Sequence, residues 1–186
     1  MHITSGQFKG IPIFAPRGMD VRPTLSKTRQ AIFNILRPYI GGETVVDIFS
    51  GTGALGFEAL SNGAAFAYFI DIANGEYITR NAAKLRLEGS SFNYIKGDFT
   101  RGLGILSSQG IKAGIIFADP PYNRGFIGAL LRTKALADIL SDGGFFVAEI
   151  HDQEKNEVSS RLQGWKIVKE KEYGGTWVVL FTKSEV

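Results

Sequence analysis

Val45-Val46-Asp47-Ile48-Phe49-Ser50-Gly51-Thr52-Gly53-Ala54-Leu55-Gly56 is the stretch on which the fold turns. It opens as a short apolar run of the kind buried in a sheet, and its glycines then lead into an amphipathic segment. Gly51, Gly53 and Gly56 satisfy the G-x-G-x-x-G spacing, and Asp71 ends the next apolar run. Glycines at this spacing let the backbone turn tightly and approach a cofactor, and an acid ending the second strand suits ribose hydroxyls. A dehydrogenase would satisfy this much. Asp47 points elsewhere, because a pyrophosphate binder has no use for a negative charge just ahead of its glycines. A carboxylate there suits a cationic cofactor such as S-adenosylmethionine, with its ammonium and sulfonium groups. In Lys96-Gly97-Asp98-Phe99, Asp98 is placed to accept from an adenine amine with Phe99 beside the ring, or to cap a helix.

Outward from this stretch, apolar runs alternate with longer amphipathic ones. The pattern predicts strands at 45–49, 67–71, 92–96, 115–118 and 145–150, with helices near 55–61, 75–87, 99–107 and 126–140. That order of elements is a parallel sheet covered by helices on both faces. The tail differs: 165–172, then Gly174-Gly175, then 176–182 reads as an antiparallel hairpin. At the other end, His2–Ser5 and Ile11–Phe14 read as a short exposed hairpin, with Pro12 and Pro16 suiting edge positions. A loop at 22–26 follows, then a helix from about Lys27 to Leu36 with Ser26 as its N-cap.

The chain has 186 residues, 44% hydrophobic and 21% charged, which excludes disorder and fits one domain with a small appendage. With no cysteine and two histidines, His2 and His151, disulfides, a thiolate nucleophile and a cysteine- or histidine-built metal centre are excluded. No apolar run is long enough to span a membrane, no signal peptide is legible, and a cytoplasmic location is expected. The net charge of +3 is unevenly spread. Residues 1–40 hold Lys9, Arg17, Arg22, Lys27, Arg29 and Arg37 against Asp20 alone, a basic arm on a slightly acidic body, as a polyanion binder would carry. Arg29, on a helix, and Arg22, before a proline, could instead brace the arm.

Asp119-Pro120-Pro121-Tyr122 follows the apolar run Ile115-Ile116-Phe117-Ala118, at the carboxyl end of the fourth strand. Ligands of open α/β sheets bind at that edge. The two prolines fix the turn and hold Asp119 out of the helical region. A carboxylate, a carbonyl and an aromatic ring are thereby presented together, a set that suits a planar base with an exocyclic amine. Asp119 and the Pro120 carbonyl would take its two N–H bonds while Tyr122 stacks. Such an amine is a poor nucleophile, since its lone pair is delocalised into the ring, and fixing both hydrogens helps localise it toward a methyl donor. C5 methylation of pyrimidines, by contrast, calls for the thiolate that is missing. The turn does not name its base: adenine N6, cytosine N4 or a protein glutamine amide remain open beside guanine, as does a non-catalytic RNA-binding role.

On these residues the chain resembles class I, S-adenosylmethionine-dependent methyltransferases with a D-P-P-Y turn, and more narrowly the bacterial 16S ribosomal RNA guanine-N2 methyltransferase family of the guanine-966 type. The likeness runs from the hairpin with Gly6 and Gly10 through Arg22-Pro23-Thr24, Arg29 and Phe33-Asn34 to the glycine loop and the D-P-P-Y turn. It implies a Rossmann-like α/β fold of seven mostly parallel strands closed by an antiparallel hairpin, with an RNA-binding arm over 1–40 and the methyltransferase domain over 41–186. It further implies catalysis at Asp119, Pro120, Pro121 and Tyr122, and S-adenosyl-L-methionine held by Asp47, Phe49, Ser50, Gly51, Thr52, Gly53, Asp71, Ile72, Asp98 and Phe99. RNA contacts are expected from Lys9, Arg17, Arg22, Lys27 and Arg29. The implied partner is 16S ribosomal RNA or a small-subunit assembly particle, without metal or membrane, and the chain is expected to be monomeric. One departure is that strand two ends in Asp71-Ile72-Ala73, where the family often has glutamate followed by aspartate.

Overall fold

The alternating apolar runs form the strands of one sheet in the computed structural model, which describes residues 1–16, 23–160 and 162–184. In chain order the elements are α1 (Pro23–Leu36), β1 (Thr44–Ile48), α2 (Ala54–Ser61), β2 (Phe66–Asp71), α3 (Gly75–Lys84), β3 (Phe92–Lys96) and α4 (Phe99–Ser108). There follow β4 (Ala113–Ala118), α5 (Phe126–Leu131), α6 (Lys134–Ile139), β5 (Leu140–His151), α7 (Asp152–Ser159), β6 (Trp165–Tyr173) and β7 (Thr176–Lys183). The seven strands lie in the order β3-β2-β1-β4-β5-β7-β6. The first five are parallel, and β7 runs antiparallel to both β5 and β6, as the sequence pattern predicts.

Every residue of β4 is buried, because helices cover both faces of the sheet. Alternation sorts the side chains. Ile48, Ile70, Ile116 and Ala148 face a cluster with Leu103 of α4, Leu130 of α5 and Ile139 of α6. Val45, Phe69, Phe117 and Val147 face the other side, against Phe33 of α1, Phe57 of α2 and Ile78 of α3.

Four local expectations are corrected. The N-terminal strands reduce to a single antiparallel bridge between His2 and Pro12, flanked by bonds from the Ile3 N–H to the Ile11 carbonyl and from the Ile13 N–H to the Met1 carbonyl. α1 begins at Pro23, not near Lys27, so Ser26 lies inside the helix; proline fits a helix's first turn, where its missing N–H costs nothing. The stretch 126–140 is two helices, broken where Thr133 takes an extended conformation with ψ 111°. α7, mostly charged and polar, carries no apolar stripe and so no periodic signal.

The arm is also more than an appendage. Ile3, Ile13, Ile32 and Phe33 are buried in the same cluster as β1 and β4, so the described parts of the arm complete one face of the core. Glu58 of α2, fully buried, fastens them. It accepts from the Thr4 backbone N–H and from the Ser5 N–H and hydroxyl, and it pairs with Arg29 of α1 at 3.0 Å. Arg29 also donates to the His2 carbonyl at 2.8 Å. The expected phosphate contact by Arg29 is therefore corrected: its side chain is 6% exposed and acts as a brace. Removing one partner of a buried pair strands the other charge, so Arg29→Ala should lower stability by about 3–5 kcal/mol in denaturant unfolding; a change within error would show that the pair is not what fastens the arm.

Candidate active site

The parallel register brings four strand ends together. Ile48 of β1 pairs with Ile70 of β2 and with Ala118 of β4, and Ala118 pairs with Ala148 of β5. The residues just beyond, Phe49 to Gly53, Asp71, Asp119 and Glu149, therefore line one edge of the sheet.

The glycine loop turns sharply there. Phe49 has φ 59°, a left-handed conformation costly for a bulky residue and often found at functional sites. Its ring packs against Phe99 and Phe126, with centroids 5.8 and 5.1 Å away. Gly56 lets α2 approach β2: a Cβ there would lie 2.3 Å from the Phe69 ring. Asp71 holds the loop. Its Oδ2 accepts from the Gly51 N–H at 2.9 Å, and its Oδ1 accepts from the N–H groups of Ala73 and Asn74 and from the Asn74 side chain. Oδ1 is saturated, and Oδ2 keeps capacity for one more donor. Ile72, next to it, is 67% exposed.

Asp47 is buried and accepts from the Gly56 N–H at 2.9 Å. Burial pushes its carboxyl well above the usual range, and the charges of Asp119 and Asp71 add to that. Asp119 keeps open surface at the edge, yet the packed strand ends strip enough water from its carboxyl to push it up to about 6. Glu149 of β5 is 7% exposed and pushed up to about 8 by burial and by Asp119, with Arg29 pulling the other way. Sequence reasoning missed Glu149, although a charge inside the apolar run Phe145-Phe146-Val147-Ala148-Glu149-Ile150 was a usable signal.

Tyr122 is 38% exposed, its ring centroid 5.3 Å from that of His151 and its hydroxyl 3.4 Å from that of Thr176. α7 ties this turn to the terminal hairpin. Glu154 accepts from the Gly125 N–H at 3.1 Å, and Asp152 accepts from the Trp177 indole at 2.6 Å. Asp98 caps α4, its Oδ1 accepting from Arg101 N–H at 2.8 Å. In the arm, Lys9 and Lys27 are exposed, while Arg17 and Arg22 lie outside the described residues. Arg80 and Lys84 of α3, which charge counting in the arm passed over, stand 4.2 and 4.5 Å from the Phe14 ring centre. Among the described residues no cluster of three or more His, Cys, Asp or Glu side chains is arranged to hold a metal ion, and no helix is long and apolar enough to cross a membrane.

A seven-stranded sheet of this order, with a glycine loop on β1 and a proline turn on β4, is the class I methyltransferase fold. A family model described as "Conserved hypothetical protein 95" matches residues 1–182, and the chain belongs to that family. Bacillus subtilis "Putative rRNA methyltransferase YlbH" is 33% identical over 98% of this chain and 99% of its own length. Escherichia coli "Ribosomal RNA small subunit methyltransferase D" is 29% identical over 94% of this chain and 85% of its own. The solved structure "Putative methyltransferase yhhF from Escherichia coli" superposes with a TM-score of 0.81 at 27% identity, covering 100% of this chain and 99% of that one.

Two outcomes are expected. Asp71→Ala removes the acceptor that holds the Gly51 N–H, so amide hydrogen exchange at Gly51 should accelerate while the β4 amides stay protected; unchanged Gly51 protection would refute the bracing role. Asp119 and Glu149 bind protons more tightly folded than unfolded, so stability should fall as pH rises through about 6 and about 8. A denaturation series flat or rising across that range would contradict the crowding of these carboxyls.

Proposed function

We propose that this chain is an enzyme that methylates the exocyclic N2 amine of one guanine in 16S ribosomal RNA, in the cytoplasm, with S-adenosyl-L-methionine as methyl donor. The observation that carries the reading is the Asp119-Pro120-Pro121-Tyr122 turn on β4, one strand from the glycine loop on β1. The family and the small-subunit RNA methyltransferases among its relatives support RNA as the substrate class.

Three features of the edge suit this cofactor. The Ser50 hydroxyl in the glycine loop is buried with no hydrogen-bond partner among the described residues. Above Gly51 the space is open, the nearest atom to a Cβ there being the Phe49 carbonyl oxygen at 3.9 Å. Asp47, Asp71 and Asp119 together make a negative edge that a cationic ligand relieves. Asp47, Ser50 and Gly51 would hold its amino-acid end, the remaining capacity of Asp71 Oδ2 its ribose, and Ile72, Asp98 and Phe99 its adenine. When bound, S-adenosylmethionine supplies a methyl group on a positively charged sulfur, an electrophile.

The chain's own residues do the rest. Asp119 and the Pro120 carbonyl accept the two hydrogens of the amine and set its orientation. Tyr122 offers a ring for the base to stack on, steadied by His151 and Thr176. As the nitrogen takes the methyl group it must lose a proton, and the Asp119 carboxylate is the acceptor in reach. Exposed Lys9 and Lys27, with Arg17 and Arg22, would grip phosphates.

Asp119→Ala should lower the rate of methyl transfer by about 100-fold or more, with cofactor affinity by calorimetry largely kept. Mass mapping of ribosomal RNA from cells lacking the gene should show one small-subunit guanine without its N2 methyl, restored by the purified enzyme. An active Asp119→Ala enzyme, or methyl label entering DNA or protein instead of RNA, would overturn the reading.

A further inference from the structure

Glu149 is the one carboxyl at the catalytic edge that the mechanism above leaves without work. Its side is fixed by register. Phe117 and Val147 pair and face the α1 side, Ala118 and Ala148 pair and face the other, and Glu149, opposite Val178, returns to the α1 side, where the charge of Asp119, just past the end of β4, reaches it. Neighbouring strands run about 4.8 Å apart, the spacing of two side chains reading one base edge. Glu149 is 93% buried, and nothing among the described residues donates a hydrogen bond to it. The nearby guanidinium of Arg29 donates two hydrogen bonds, to Glu58 and to the His2 carbonyl, and acts on Glu149 through its charge alone. Its oxygens are not among the fully enclosed unpartnered atoms, so the carboxyl is reached from the open edge, and a substrate docked beside Asp119 would displace water there and supply a donor in its place.

We propose that Glu149 is the residue that selects guanine, accepting the N1–H hydrogen bond while Asp119 and the Pro120 carbonyl accept those of N2. The inference rests on the methyltransferase reading and deepens it. On the pairing edge of guanine, N1–H and the N2 amine are adjacent donors, so two neighbouring acceptors match it. Adenine and cytosine place an acceptor nitrogen beside their exocyclic amine, and above about pH 8, where Glu149 is ionised, that lone pair would face a carboxylate. The Asp-Pro-Pro-Tyr turn, which offers acceptors for any exocyclic amine, thus gains base specificity from the next strand. The N1–H donor favours the charged form of Glu149 and offsets the repulsion from Asp119.

The test uses the full chain with S-adenosylhomocysteine and a small-subunit RNA hairpin carrying, at the mapped position, either guanine or 2-aminopurine. The analogue keeps the 2-amino group but has a bare N1. At pH 8.5, where Glu149 is mostly ionised, wild type should bind the guanine hairpin about 10-fold or more tightly than the analogue, because an acceptor buried against the base and left unpaired is heavily penalised. Glu149→Ala should bring the two affinities together, while Glu149→Gln, which keeps an oxygen acceptor, should retain part of the preference. Cofactor affinity should hold in both, and their melting temperatures at pH 8 should equal or exceed that of wild type, since a strained buried carboxyl has been removed. A preference that survives Glu149→Ala, or a clear fall in melting temperature in both variants, would overturn the inference and leave the methyltransferase reading standing. If wild type bound neither hairpin and, given S-adenosylmethionine, methylated neither free 16S ribosomal RNA nor small-subunit particles, that reading would fall, and this inference with it.

Discussion

The parallel pairing of β1 with both β2 and β4 is the constraint from which the rest of the site follows. Parallel strands carry their chains to the same edge, so the loops after β1, β2, β4 and β5 converge without any long excursion of the backbone. Three of those loops begin at or near a carboxylate, and β5 adds a fourth within its last turn of register. The price is lost hydration, which raises the pKa values of Asp47, Asp119 and Glu149, with repulsion between carboxylates added at Asp47 and Glu149. Such an edge is matched to visitors bearing positive charge or N–H donors, and it disfavours a phosphate. The same geometry that builds the fold therefore sorts ligands before any one contact is considered.

The buried pair of Arg29 and Glu58 sets a second relation, between the arm and the site. Glu58 lies on α2, the helix that the glycine loop opens, so the N-terminal hairpin is anchored to the element that carries the cofactor-binding turn. Arg29 meanwhile lies close enough to Glu149 to lower its pKa. A displacement of the arm would be felt at both the glycine loop and β5. The arm is part of the scaffold, and any RNA it touches is held by a surface rigidly related to the catalytic edge.

How much of this the sequence disclosed follows from where each signal came from. β1 to β4 were legible to within two residues at each end because strands buried on both faces must be continuously apolar. The glycine loop and the proline turn were legible because their signals are local: spacing marks Gly51 and Asp71, and the two prolines restrict Asp119. Arg29 was ambiguous, since charge counting cannot distinguish a solvated guanidinium from a buried one, and only packing brought Glu58 to it. Asp71 showed its position, but of its four accepted hydrogen bonds the one from the Gly51 N–H depends on a fold that brings the two loops together, while those from Ala73 and Asn74 are local. α7 left no trace because eight mostly polar residues held by the D-P-P-Y loop and the terminal hairpin need no apolar stripe of their own.

The place of β7 has a consequence for the order in which the molecule is made. Of the seven strands it is the last in the chain, yet in the sheet it stands between β5 and β6. Until it emerges during synthesis, β5 is an unpaired edge and β6 has nothing to join. The strand carrying Glu149 thus spends the interval between its own synthesis and that of β7 as an open template for pairing with another chain. A nascent polypeptide stopped short of Thr176 would hold a nearly complete cofactor half and a sticky, unfinished substrate half, which makes closure by the final strand the step that separates a soluble product from an aggregating one.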